Sequence, residues 1–140
     1  MSSLISPVKI DLTTNNGLCI YAGSFWSLPV TIVSRENLVD TPVDLSGYTG
    51  KAVIKRNIND DTPVAVPTVE ISQTNVGQFV VSLSSELSQN IPTVAVDSFA
   101  DYSEYFYEVR FTDNLSGEEY RAMYGTVQVI AAVIDSDDHE

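Results

Sequence analysis

Few residues of this 140-residue chain have the chemistry for catalysis. Its one histidine, His139, stands among Asp135, Asp137, Asp138 and Glu140. A general base must be held against its nucleophile and oriented by a third group, which an acidic tail cannot do, so a Ser-His-Asp or Cys-His arrangement is not expected. The one cysteine, Cys19, lies in the apolar run Leu18-Cys19-Ile20 and reads as a small buried hydrophobe. Being single, it cannot form an intrachain disulfide. Carboxylates cluster at Asp60-Asp61 and in residues 135–140. Sugar hydrolysis needs two carboxyl groups rigidly spaced across a cleft, and a loop and a tail do not provide that. The tail acids also lack the ligand spacing of a dedicated calcium loop, and no glycine-rich phosphate loop opens a helix. The expectation is a non-enzyme with no catalytic, cofactor or metal residue.

The aromatic residues are the other candidates. Tyr102, Tyr105, Phe106, Tyr107, Tyr120 and Tyr124 crowd the last third of the chain. Exposed and coplanar, they would make a platform for stacking on a sugar; alternating along strands, half of them fill a core and the others make cross-strand pairs. The alternation favours the core, and leaves Phe106, which points opposite to Tyr105 and Tyr107, as a candidate subunit contact.

Charge excludes other classes. With 7 Lys and Arg against 19 Asp and Glu, the formal net charge is −12. Nucleic-acid binding by counterion release and docking on anionic lipid both need a basic cluster, so neither is expected. Residues 41–56 hold Lys51, Lys55 and Arg56, three of the seven cations. These are expected to neutralise carboxylates within the protein or across a subunit contact, where charge pairs set register. The sequence opens without a basic stretch followed by an apolar one, so no signal peptide is expected. No window approaches the roughly 20 apolar residues of a membrane-spanning helix.

The elements that must carry these side chains are strands. Valine, isoleucine, threonine, tyrosine and phenylalanine are plentiful. A hydrophobic fraction of 44% is enough for a core in a chain of this size. Val8, Ile10 and Leu12 alternate with Lys9 and Asp11, and Asn15-Asn16-Gly17 turns or kinks the chain before a short run to Tyr21. Trp26, Leu28, Val30 and Ile32 form a core face opposite Phe25, Ser27, Pro29, Thr31 and Val33, with Pro29 requiring an edge or bulge. Residues 34–39 read as a polar loop. A strand over residues 48–56 buries Tyr48, Ala52 and Ile54; residues 57–63 are an exposed loop; Pro67 splits the run 64–72 or places it at an edge. Asn75-Val76-Gly77 turns into a strand burying Phe79, Val81 and Leu83. Ser84 caps a short helix pinned by Leu87 and Ile91, and an irregular crossover over residues 93–100 follows.

Two long strands end the pattern. Tyr105, Tyr107, Val109 and Phe111 face in, and Asn114-Leu115-Ser116-Gly117 is the hairpin loop, its glycosylation sequon read as a turn. In the return strand, Tyr120, Ala122 and Tyr124 share a face with Val127, Val129, Ala131 and Val133 if a bulge sits at Gly125. The pattern predicts about seven or eight strands in two packed antiparallel sheets, with one helical turn. Residues 1–134 form a single domain and 135–140 an acidic tail.

Several segments together resemble a known family. They are Tyr21-Ala22-Gly23 followed by Ser24-Phe25-Trp26-Ser27-Leu28-Pro29-Val30-Thr31-Ile32; Pro42-Val43-Asp44-Leu45-Ser46-Gly47-Tyr48 with the basic strand after it; Gly77-Gln78-Phe79-Val80-Val81-Ser82-Leu83-Ser84 with Glu86-Leu87; Tyr107-Glu108-Val109-Arg110; and Gly125-Thr126-Val127-Gln128-Val129. Over residues 18–134 the chain is similar to the small immunoglobulin-like β-sandwich of tailed-bacteriophage virion proteins, including the N-terminal domain of baseplate upper proteins that anchor receptor-binding fibres. It departs from them in the acidic loop 57–63 and in having no fibre or coiled-coil segment after the domain. The resemblance implies an immunoglobulin-like all-β fold and a non-enzymatic virion subunit, assembled in the host cytoplasm in symmetric copies and docking on other virion proteins through sheet edges and loops. A tail or baseplate subunit or fibre adaptor is the leading expectation. A capsid decoration or neck protein, and a module for host-surface glycan, are the alternatives.

Overall fold

The computed structural model describes residues 5–93 and 102–132. Among them, strands β1 (Val8–Lys9), β2 (Ile20–Tyr21), β3 (Trp26–Thr31), β4 (Val33–Glu36), β5 (Val39–Pro42), β6 (Tyr48–Lys55), β7 (Thr68–Ile71) and β8 (Gln78–Leu83) precede helix α1 (Ser85–Gln89). Strands β9 (Ser103–Asp113) and β10 (Glu119–Ile130) follow it. Among the described residues the protein is all-β apart from α1. Ten strands rather than seven or eight arise because β1 and β2 are two-residue pairings and β4–β5 is an added hairpin.

One sheet runs β1-β10-β9-β6, with β2 also on β10; a second runs β3-β8-β7. The sheets close on a shared core. Phe79 of β8 meets Phe111 of β9 edge-to-face, with ring centroids 5.0 Å apart and planes at 78°, and both rings are fully buried. Burying aromatic rings of this size drives the sheets together. The expected inward residues Ala52, Ile54, Phe79, Val81, Leu83, Tyr105, Tyr107, Val109 and Phe111 are all buried. Trp26 and Leu28 are buried as well, with Val30 and Ile32 partly so. Pro29 lies on β3, the outer strand of its sheet, where a missing N–H breaks no internal ladder.

The first sheet is mixed rather than purely antiparallel, because β1 and β2 pair parallel with β10. Residues 13–19 leave that edge and return to it: Leu12 bridges Val127, and Ala22 N–H donates to Ile130 O at 2.9 Å. The chain therefore kinks at Asn15-Asn16-Gly17 without reversing. Val8, expected inside, is 52% exposed, since inward packing on this edge begins only at Ile10 and Leu12.

Pro67 splits its run between the two sheets. Ala65 bridges Ile54 on the first, and β7 then pairs with β8 on the second. Gly50 lies beneath this crossing, where a Cβ would come 2.4 Å from a Val69 methyl. At the turn 44–48, the Asp44 carboxylate accepts the Ser46 N–H (2.9 Å) and is held below its usual pKa by that bond. Leu45 plugs the core there, 2% exposed.

Three expectations are corrected. Residues 34–39 are not a loop: β4 and β5 pair as a hairpin turning through Asn37 and Leu38, both at positive φ. Leucine is not a residue that signals such a turn, so the pattern concealed it. In α1 the buried contact is Ser88 rather than Leu87, which is 46% exposed. The Ser88 hydroxyl accepts the Gly23 N–H (3.0 Å) and donates to Ser24 O (2.9 Å), tying the helix to the β2–β3 connection. The bulge in β10 falls between Arg121 and Met123, not at Gly125. Met123 is thereby buried, and Tyr124 is turned away from the core face. Gly125 is required for another reason: a Cβ there would lie 2.4 Å from Ile10 O, where residues 10–11 pass over the strand. The tail, Val133 and most of the crossover 93–100 lie outside the described residues.

Candidate functional site

The outward face of the first sheet gathers what the sequence scatters. Period-two alternation sends every second residue of β6, β9 and β10 away from the core, and the register aligns those residues in rows. Lys51, Arg110 and Arg121 form one row; Val53, Glu108, Tyr124 and Lys9 the next; Lys55, Phe106 and Thr126 the third. The bulge after Arg121 lets Arg121 and Tyr124 point the same way although they are three residues apart. Ile58, in the loop after β6, walls the far side, and the rows, except for Lys51, line a groove of about 460 Å³.

Five of the seven cations, Lys9, Lys51, Lys55, Arg110 and Arg121, converge on this face of a protein with net charge −12. Glu108 is clamped between two of them: Arg110 Nε donates to Oε1, and Arg121 Nη2 donates to Oε2 at 2.5 Å. The Arg121 guanidinium also stacks on Tyr124, 4.7 Å from the ring centroid. Lys51 pairs with Glu119 at 2.7 Å and holds that carboxyl below its usual range. Asp11 accepts the Thr126 N–H at 3.0 Å, which keeps its carboxyl below the usual range; Lys9 is 3.8 Å away. Among the described residues Lys55 has no ion-pair partner.

The arrangement can bind an anion or an acidic surface. The floor is built on β9, paired on both sides by β6 and β10, and the cations surround an apolar centre of Val53 and Phe106. Below it, the Tyr107 hydroxyl donates inward to Ile10 O at 2.6 Å, and burial pushes its pKa well up, so the phenol stays neutral.

The residues singled out in the sequence are distributed widely. Cys19 is buried, 3% exposed. Asp60-Asp61 lie in the loop 57–63, where Asp60 closes a turn by accepting the Asn57 N–H. His139 and the tail acids lie outside the described residues. Among the described residues no group of three or more His, Cys, Asp and Glu is placed to hold a metal ion. Tyr105 and Tyr107 fill the core, and Tyr120 meets Tyr48 edge-to-face at 6.4 Å. Phe106 and Tyr124 share the outer face, but Arg121 covers the Tyr124 ring. The basic strand 51–56 is not the only cationic feature: Lys9, Arg110 and Arg121 join Lys51 and Lys55. Their outward positions are legible in the strand pattern; the register that unites them is not. No family model matches this chain, and no curated protein matches it.

Proposed function

We propose that this chain is a non-enzymatic structural subunit of a tailed-bacteriophage particle, associated with the tail or baseplate and present in several symmetric copies, with the outer face of β6, β9 and β10 as its docking surface. The observation that carries the reading is the concentration of five cations on one sheet face of an otherwise acidic protein, four of them, Lys9, Lys55, Arg110 and Arg121, lining a groove with an apolar centre. Opposed charge on one face, repelled charge elsewhere, selects partner and register. The strand order supports the immunoglobulin-like part of the reading: β3-β8-β7 and β6-β9-β10 are the neighbour orders that strands B-E-D and C-F-G have in such a sandwich.

The test is to label this protein in purified particles and locate it by electron microscopy, with mass spectrometry of the same particles. The expected outcome is a symmetric set of labels on the tail or baseplate. Label on the capsid surface or neck would move the subunit to that part of the particle, and absence from particles would overturn the proposal.

A further inference from the structure

We infer that the groove on the outer sheet face receives the acidic segment Asp135–Glu140 of a neighbouring copy of this chain, joining copies head to tail. The inference deepens the structural-subunit reading and rests on it only for the presence of neighbouring copies.

Charge complementarity comes first. The groove holds Lys55 without an ion-pair partner among the described residues, and Lys9 with a carboxylate no closer than 3.8 Å. Arg110 and Arg121 converge on the single carboxylate of Glu108, leaving guanidinium donors to spare. Asp135, Asp137, Asp138 and Glu140 put four carboxylates within six residues, the densest acid in the sequence. An ion pair set against apolar surface is screened less than one in open water, and Val53, Ile58 and Phe106 provide that surface.

Reach then decides between the copy's own segment and a neighbour's. Described residues end at Ala132, beyond the far end of β10. From there to Thr126, level with Lys55, is about 20 Å along the strand, and to Tyr124, level with Glu108 where Arg110 and Arg121 meet, about 26 Å, at roughly 3.3 Å per residue. Residues 133–140 span at most about 29 Å fully extended, and less once the chain doubles back. A copy's own acids can approach Lys55, but to come level with the guanidinium groups at Glu108 the segment would have to be fully extended with no residue spent on the turn. A neighbour's segment has no such limit and can lie along all three rows. A contact in which one surface of each copy meets a different surface of the next is heterologous, and closes into a ring or extends as a filament according to its rotation.

The experiment is sedimentation equilibrium of the full chain at ionic strengths of about 50 mM and 500 mM, since screening separates ionic from apolar association. The wild type is compared with a variant carrying Asp135→Asn, Asp137→Asn, Asp138→Asn and Glu140→Gln, which alters no described residue. Self-association that weakens with salt, and that the neutralised variant weakens by about tenfold or more at low salt, is expected. A second pair tests the contact directly. Lys55→Glu with Arg121→Glu should abolish association, and mixing that protein with Asp137→Lys, Asp138→Lys chains should restore it as a mixed species. A wild type that stays monomeric at low salt overturns the inference. So does association that ignores the neutralised tail while the groove reversal still affects it, which would mark another anion, such as an acidic saccharide, as the occupant. Location in particles is read separately, so the subunit reading and the tail contact fail independently.

Discussion

The two faces of β6, β9 and β10 share one backbone and do opposite work. Inward, Ala52, Ile54, Tyr107, Val109, Phe111 and Val127 are almost completely removed from water. Outward, the alternate residues Lys51, Lys55, Glu108, Arg110 and Arg121 stay wet and charged. The inner face is held by area and shape, which no salt screens. The outer face is held by pairs whose individual worth in water is small, so its value lies in how it presents charge to something else.

That contrast can be broken from either side. The largest effect is expected for Phe111→Ala, which removes the ring bridging the sheets to Phe79 and should cost about 3–5 kcal/mol of unfolding free energy, read by urea denaturation. Next comes Gly125→Ala: the added methyl meets Ile10 O and lifts residues 10–11 off the sheet, at a cost of about 1–3 kcal/mol, measurable the same way. Alkaline pH probes the boundary between the faces. The Tyr107 pKa is raised on folding, so its contribution is complete below the ordinary value of 10.0 and is lost as pH rises above it. Stability should fall on going from pH 9 to pH 11, and Tyr107→Phe should flatten that fall; an unchanged slope would show that the phenol is not sealed. The smallest effect is expected on the outer face. Arg121→Gln leaves Glu108 with Arg110 and should change stability by less than about 1 kcal/mol, while a comparable loss to that of Phe111→Ala would mean that the outer charges hold the fold as well.

Legibility in the sequence followed how locally each feature is decided. The inward residues of β9 alternate without interruption, and the sheet buries them as the alternation requires. Pro29 and Gly117 announced an outer strand and a turn by their own backbone geometry. The β4–β5 hairpin escaped because Leu38 occupies a positive-φ position with no local signal for it. Leu87 misled because four-residue spacing with Ile91 suggests a shared buried face; the core instead takes Ser88, whose hydroxyl finds partners in the β2–β3 connection. The bulge in β10 was foreseen, but three residues too late. Glycine marks both bulges and close approaches, and Gly125 serves the second. Of the outer face, Lys51, Lys55 and Phe106 could be placed outward in advance; Lys9, Arg110 and Arg121 could not be placed beside them.

The sequence by itself determined that this protein is built of strands, which residues of the long strands turn inward, and that its surface is acidic. Those follow from composition and period-two alternation, which act within a few residues. Only the tertiary structure decided that β1 and β2 run parallel to β10, that Pro67 hands a strand from one sheet to the other, and that five cations meet on one face. Register and strand order are set by packing between segments tens of residues apart, where no local preference reaches.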